Sequence, residues 1–413
     1  MLIVNDHLGK ETVAELHDFR KDKQDLAVEH HLDNVTATSM SLCLKRIHIF
    51  GDLKDFKPAS QLDSLYELFT QSFESKQAAS IRCEELTGSC SVELSLGTDV
   101  AEFRGKDAVI FGMLPTAFRG RMETLINTTP EPGQTWIFYS THSPHRLVQR
   151  NQELQLSQLK YHKLMTYRWD SDINVRYAKY RVFRNGTDPA KKLSDEDISN
   201  KKNLIAWMSS NCHEVFWPRK PFLSRLRARL PLHEYGDCGN RRCLPKRSDK
   251  CVGVMQQYKF QLILGNTECN DLIPDDFWTL ALANGVVPVI YGVPKSDLER
   301  MAPPNSYIHI ADYKSLDDLA NLIKDLGKDQ AEYSRFFDWR EVGRLQFSSS
   351  IQPEEVCRTL PHLSDGKPQA LKTLGKSSWF TGCRKNPDAS ALQLFTPDRQ
   401  YKAFNHWALW KVY

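Results

Sequence analysis

An α/β fold built on parallel sheets is what this chain predicts, and three observations predict it. Leu262-Ile263-Leu264 is a short apolar run that stops at Gly265-Asn266-Thr267. Val286 to Tyr291 is a second run, too short for a buried helix and rich in β-branched residues, as a buried parallel strand should be. Between the two, Phe277, Leu280 and Ala281 recur at helical spacing. Strands alternating with helices in this way give parallel sheets.

The elements follow in order. Residues 1–44 are polar and charged, with helical hints from Thr12 to Phe19, and read as a stem or lead-in. Arg46 to Gly51 is the first predicted strand. Leu62, Leu65, Leu68, Phe69 and Phe73 then mark an amphipathic helix. Asp107 to Phe111 and Thr135 to Tyr139 are further strands, so residues 45–182 form a first α/β domain. Residues 183–203 are polar, carry Gly186 and Pro189, and read as a linker. Leu204 to Met208 opens a second domain over 204–349 as a strand that ends at Ser209-Ser210-Asn211. Phe222, Leu223, Leu226 and Leu230 form a helix that stops at Pro231. Leu316, Leu319, Leu322, Ile323 and Leu326 form another, with Ser315 as N-cap, Asp318 as its capping-box partner and Gly327 beyond its end. Residues 350–413, an extension containing Trp379, Trp407 and Trp410, show no clear period.

Composition bounds the function. At 413 residues the chain is long for one core, and 41% hydrophobic with 26% charged residues is ordinary globular composition. A net charge of +4 does not suggest a nucleic-acid partner, since such binders concentrate positive charge on one face. Arg225-Arg227-Arg229 and Arg241-Arg242 with Lys246-Arg247 are either solvated surface or an attraction for an anionic substrate. Ten cysteines include no C-x-x-C, and there is no H-E-x-x-H, so no spacing makes a metal site. In an oxidising lumen Cys83 with Cys90, Cys238 with Cys243 and Cys357 with Cys383 are candidate disulfides, although connectivity does not follow from sequence. Sequons at Asn34, Asn127 and Asn185 suit a secretory route. Met1 to Lys10 holds no apolar run long enough for a signal peptide, and no stretch approaches the roughly 20 residues of a membrane helix.

Open parallel sheets bind ligands outside the carboxyl ends of their strands, so the polar loop after Leu264 is a candidate ligand site. Tyr258-Lys259-Phe260, Asn266, Cys269, Asp271 and Gly285 to Gly292 around that loop resemble the donor-binding segment of the α1,3-fucosyltransferases. Other blocks fit in the same order: Lys106 to Phe111, Pro132 to Trp136, Ser143-Pro144, Met165 to Asp172, Trp207 to Cys212, Tyr235 to Gly239, Tyr307 to Ser315 and Phe337 to Arg340. The likeness covers roughly residues 80 to 345.

The resemblance implies two facing Rossmann-like domains, the GT-B arrangement, with the donor on the second. It implies transfer of fucose from GDP-fucose, with inversion, to N-acetylglucosamine of a glycan on a glycoprotein or glycolipid, in an α1,3 linkage. It implies no required cofactor, a divalent metal being at most stimulatory, and a Golgi lumen or cisterna-membrane location through a short N-terminal anchor. Either the anchor is missing ahead of Met1, which is the expectation, or the protein reaches another compartment. Arg219, eight residues after Asn211, stands where the family has an arginine that contacts the diphosphate. Ser210 and Asn211 either hold phosphate or start a turn. Tyr258 either stacks on the donor or packs, Lys259 either touches the donor or is structural, and Asn266 either reads the donor or serves the turn. Asp170-Ser171-Asp172 looks like a metal-binding D-x-D but is implied to be a structural turn.

Departures from the pattern point the other way. Gly265 replaces the family's loop glutamate, and Pro274-Asp275-Asp276 replaces its T-E-K. Asp275 still accepts hydrogen bonds; Asp276 brings a carboxylate where an ammonium would attract a diphosphate. His142 stands in place of the family's glutamate before Ser143-Pro144 and, with an imidazole's proton affinity, is the candidate general base, His145 being a weaker one. These changes support a second reading, a catalytically silent member that binds glycan or protein.

Overall fold

The computed structural model of the protein describes residues 43–383, apart from 57–61, 84–89, 149–152, 185, 187–192, 213–214, 216, 218, 244–247 and 349–352. Nearly all of the expected stem, the sequons at Asn34 and Asn185, Lys246-Arg247, and Trp407 with Trp410 lie outside the described residues.

The first sheet is built from β1 (Cys43–Phe50), β2 (Ala79–Cys83), β3 (Cys90–Gly97), β4 (Ala108–Phe111) and β5 (Thr135–Ser140), followed, after the two-residue β6 (Lys160–Tyr161), by β7 (Lys163–Thr166) and β8 (Ile173–Asn174). Their order is β2-β3-β1-β4-β5-β7-β8. Every pairing is parallel except the edge pair β2–β3. Alanine, valine, isoleucine and phenylalanine make up β4, and every residue of β4 and β5 is buried, because the central strands are covered on both faces. Phe50, Phe103, Phe111 and Trp136 meet there, the Phe111 and Trp136 rings edge-on at 5.1 Å. The predicted helix is Asp63–Ser75; it buries Leu65 and Phe69 and leaves Phe73 exposed.

β9 (Ala178–Val182) leads out of this sheet. The second sheet holds β10 (Asn203–Met208), β11 (Leu232–Tyr235), β12 (Tyr258–Leu264), β13 (Val287–Tyr291) and β14 (Ile308–His309), all parallel, in the order β11-β10-β12-β13-β14. β15 (Gly343–Phe347) returns antiparallel to β9, so the chain crosses between the two halves at one paired ribbon. The segment read as a linker includes a short helix, Asp195–Ser199, with Ser194 and Asp197 forming a capping box.

Three local expectations change. Gly327 lies inside the helix Leu316–Lys328, not beyond it: a Cβ there would meet Leu204 Cδ1 at 2.5 Å, so the glycine lets the helix approach β10. Between β12 and β13 the expected regular helix is one wide π turn, Phe277–Ala281, then a 3-10 turn, Leu282–Asn284, ended by Gly285 at φ 63°. None of the three candidate disulfides forms. The bonds are Cys43–Cys90, Cys83–Cys357, Cys212–Cys238, Cys243–Cys251 and Cys269–Cys383. Cys83 and Cys90 do face each other across the antiparallel β2–β3 pair, but each is bonded elsewhere: Cys90 to Cys43 on the parallel neighbour β1, and Cys83 to Cys357 of the returning carboxy-terminal segment.

Residues 353–383, which carry no sequence period, pack on the first sheet. Val356, Leu374 and Trp379 are buried in its core, the Trp379 ring lies 4.7 Å from that of Phe138, and β16 (Lys372–Thr373) pairs with β6.

Candidate active site

A cleft of about 490 Å³ opens where the two sheets face each other. Thr141 and His142 follow β5 into it, Tyr167 follows β7, and Arg176 and Tyr177 follow β8. From the other side come Ser210 and Asn211 after β10, Gly265 to Thr267 after β12, and Gly292 after β13. Every one of these positions lies beyond the carboxyl end of a parallel strand, where open α/β sheets bind ligands.

The structure brings His142, Ser210, Asn211, Asn266 and Asp275 to the cleft, with Asp276 beside Asp275. Arg219 is placed differently. It is 3% exposed and lies behind the wall: Nη1 donates to Asn266 Oδ1 at 2.8 Å and to Leu264 O at 3.4 Å, Nη2 donates to Asn211 O, and the guanidinium lies 5.2 Å from the Trp207 ring. Burial draws its pKa down to about 10, so it remains a cation at neutral pH. In this geometry Arg219 ties the Asn211 and Asn266 loops together, and the Cys212–Cys238 bond holds the first of them from the other end.

Tyr258 and Lys259 are not at the cleft. They start β12, roughly 20 Å from its carboxyl end at about 3.3 Å per residue. The Tyr258 hydroxyl bonds Tyr235 at 2.8 Å in a buried cluster, and Lys259 Nζ donates to Gly327 O at 2.5 Å. The strand's direction decides this: the loop that reaches the cleft is at the far end.

Asp271 is the residue of the motif whose role the sequence left blank. It is buried with φ 61°, a conformation aspartate tolerates. Its carboxylate pairs with the Arg168 guanidinium at 2.9 Å and accepts from Trp169 N at 3.0 Å and from Arg300 Nη2, while its own N–H donates to Asp297 at 2.7 Å. The Cys269–Cys383 bond joins the same loop to the segment packed on the first sheet. That loop is therefore bound to both halves. In the D-x-D stretch, Asp170 pairs with Arg168 at 3.3 Å and Asp172 accepts from Leu164 N at 2.8 Å, which gives both carboxylates a local structural partner.

The cations that face the cleft are Arg146, Arg176 and Arg358, all outside the second sheet. No motif marks them. Arg176 stacks 4.1 Å from the Trp169 ring, its Nε is buried with no hydrogen-bond partner among the described residues, and burial lowers its pKa. A desolvated guanidinium with a free donor is suited to an anionic ligand. By contrast, Arg227 and Arg229 of the basic run pair with Glu234 and Asp317 at the surface.

Two facing parallel sheets with a polar, arginine-lined cleft at their strand ends define the class of two-domain glycosyltransferases. Two adjoining family descriptions match the chain: "Fucosyltransferase, N-terminal" over residues 64–178 and "Glycosyltransferase family 10 (fucosyltransferase) C-term" over residues 198–377. The chain is 30% identical over 311 residues to human 4-galactosyl-N-acetylglucosaminide 3-alpha-L-fucosyltransferase FUT6, covering 74% of this chain and 80% of that protein. It is 30% identical over 317 residues to 3-galactosyl-N-acetylglucosaminide 4-alpha-L-fucosyltransferase FUT3 of Bos taurus, covering 76% and 80%. Its match to glycoprotein 3-alpha-L-fucosyltransferase A of Drosophila melanogaster, 31% over 220 residues, spans 52% of this chain and 41% of that protein. A solved α1,3-fucosyltransferase with GDP-fucose aligns over 79% of this chain and 92% of that one, at 15% identity and a TM-score of 0.44; the fold assignment here rests on strand order instead. The chain belongs to glycosyltransferase family 10, the fucosyltransferases.

Proposed function

We propose that this enzyme transfers fucose from GDP-fucose to N-acetylglucosamine of a glycan, with inversion and in an α1,3 linkage. The observation that carries this reading is the cleft itself. One wall offers Ser210, Asn211, Asn266 and Asp275 on loops braced by Arg219; the other offers Arg176, Arg146 and Arg358. The first set is placed to hydrogen-bond nucleotide and sugar, and Arg176, stacked on the Trp169 that is bonded to Asp271, to neutralise the diphosphate as it departs; Arg358 is held by Glu355 instead. Excluding water between two walls favours transfer to a hydroxyl over hydrolysis.

Because Asp170 and Asp172 are engaged locally, the reaction is proposed to run without a bound metal, the leaving charge resting on guanidinium groups. The acceptor is a glycan of a glycoprotein or glycolipid. Five disulfides among the described residues support folding in an oxidising secretory compartment, the Golgi lumen in this proposal. Among the described residues no helix is long and apolar enough to cross a membrane. Asn127, exposed at a helix end, is the sequon that the described structure leaves open to glycosylation.

The test is GDP release from GDP-fucose across acceptors ending in N-acetylglucosamine, with the linkage of the product read by NMR. Release that depends on such an acceptor, with an α1,3 product, supports the reading. Release with another nucleotide sugar and none with GDP-fucose overturns it.

A further inference from the structure

We infer that Glu355, not His142, is the base that takes the proton of the acceptor hydroxyl. The inference rests on the transfer reaction proposed above and assigns one of its roles.

His142 reaches the cleft, but its Nδ1 faces Arg146 Nη1 at 3.4 Å. A guanidinium only donates, so that nitrogen must offer its lone pair to it, and the proton of the neutral ring then sits on Nε2. In this arrangement the one basic lone pair of the neutral ring is turned to Arg146. A base needs that lone pair for the acceptor proton.

Four carboxylates line the cleft among the described residues: Asp271, Asp275, Asp276 and Glu355. Asp271 is spent on Arg168, Arg300 and the Trp169 N–H. Asp275 and Asp276 stand on the donor loop. Displacement with inversion brings the acceptor in from the face opposite the leaving diphosphate, so the base belongs on the other wall. Glu355 is the carboxylate there.

Its position is well held. Glu355 lies in the helical stretch Pro353–His362, whose Val356 and Cys357 are buried in the first core and whose Cys357 is bonded to Cys83 of β2. Arg358 Nη1 binds Glu355 Oε2 at 2.7 Å, and Arg358 Nη2 binds Asn174 O at 2.5 Å at the end of β8. One oxygen is thus clamped and Oε1 retains acceptor capacity, on a side chain 31% exposed. Tyr139, near the end of the strand that leads to His142, feels the same carboxylate: its phenol is pushed up chiefly by burial, and the Glu355 charge adds to it. A carboxylate also brings negative charge toward the cationic sugar of the transition state, which an imidazole does not.

The step balances. The acceptor oxygen forms its bond to the fucose anomeric carbon as the bond from that carbon to the phosphate oxygen breaks. The electron pair leaves with GDP, the acceptor proton passes to Glu355, and Glu355 returns it to water once product departs.

The experiment measures GDP release by the full chain with GDP-fucose and an N-acetylglucosamine-terminated acceptor, alongside GDP affinity and Tm. Glu355→Gln should lower kcat by about 10²–10⁴-fold with GDP affinity and Tm unchanged. It should also remove the acid limb of the kcat profile, and Glu355→Asp should restore part of the rate. His142→Ala should lower kcat less and keep that limb. Glu355→Gln at wild-type kcat overturns the assignment, as does a kcat loss matched by lost GDP binding or lower Tm, which is the mark of a structural residue. A wild-type chain that releases no GDP with any acceptor overturns the transfer reading itself, and the base with it.

Discussion

Arg176 and Asp276 line the same cleft with opposite charge, and in the proposed reaction they act on the donor diphosphate in opposite senses. Arg176 lines the cleft, its Nε has no hydrogen-bond partner among the described residues, and its guanidinium is the proposed partner of a phosphate oxygen. Charge-assisted hydrogen bonds contribute about 1.5–3 kcal/mol. Arg176→Ala should therefore weaken GDP binding about 10- to 100-fold by calorimetry; unchanged affinity removes Arg176 from the phosphate site. Asp276 acts in the other sense. Two unit charges 4 Å apart interact by about 4 kcal/mol at an effective dielectric near 20. Asp276→Lys turns repulsion into attraction and should tighten GDP binding by about tenfold or more. A weaker or equal affinity in the same titration shows that this side chain does not face the diphosphate. Arg219 is a different kind of residue. Its spacing from Asn211 resembles that of the family's diphosphate arginine, but its guanidinium fastens two loops and does not line the cleft.

At the scale of elements, residues 353–383 are the part that sequence reading could not place. They have no apolar period because they do not lie on one face: each anchor enters the first core separately, Val356 and Cys357 from one turn, Leu374 and Trp379 from others. Trp379 also donates from Nε1 to His142 O at 3.0 Å, so the segment braces the cleft wall. Trp379→Ala should cost about 3–5 kcal/mol of stability, read as a lower midpoint in urea unfolding. A loss below about 1 kcal/mol means that the segment is not part of that core. The strands, by contrast, were legible. β4, β5, β10 and β13 are short apolar runs with little polar interruption, because central parallel strands are buried on both faces. The turn after Asp276 was read as a regular helix because Phe277, Leu280 and Ala281 fit its period. A single wide turn buries the same three side chains, and spacing over five residues does not separate the two.

For the whole molecule, acid should destabilise the fold through its buried histidines. His48 is fully buried; desolvation outweighs its hydrogen bond to Gly97 O and lowers its pKa to about 4, against an ordinary 6.5. His162 and His309 are lowered for the same first reason, burial. The unfolded chain thus binds more protons than the folded one between about pH 6.5 and 4, and stability falls as pH drops through that window. His48 alone accounts for about 3 kcal/mol at about 1.36 kcal/mol per unit. Tm measured from pH 7 to 4.5 should fall steadily, and His48→Gln should flatten the slope; a slope unaffected by that change assigns the acid loss to other groups.

What the sequence determined by itself was the class of fold, the strands β1, β4, β5, β10, β12 and β13, the family, and the loops that end at Asn211 and Asn266. These are local or periodic features, written in neighbouring residues. Tertiary structure alone decided the disulfide pairing, the removal of Tyr258 and Lys259 from the site, the burial of Arg219, and the arrival of Arg176 and Glu355 in the cleft. The reason is that parallel topology and a returning carboxy-terminal segment bring together residues far apart in the chain, and no spacing between neighbours records that approach.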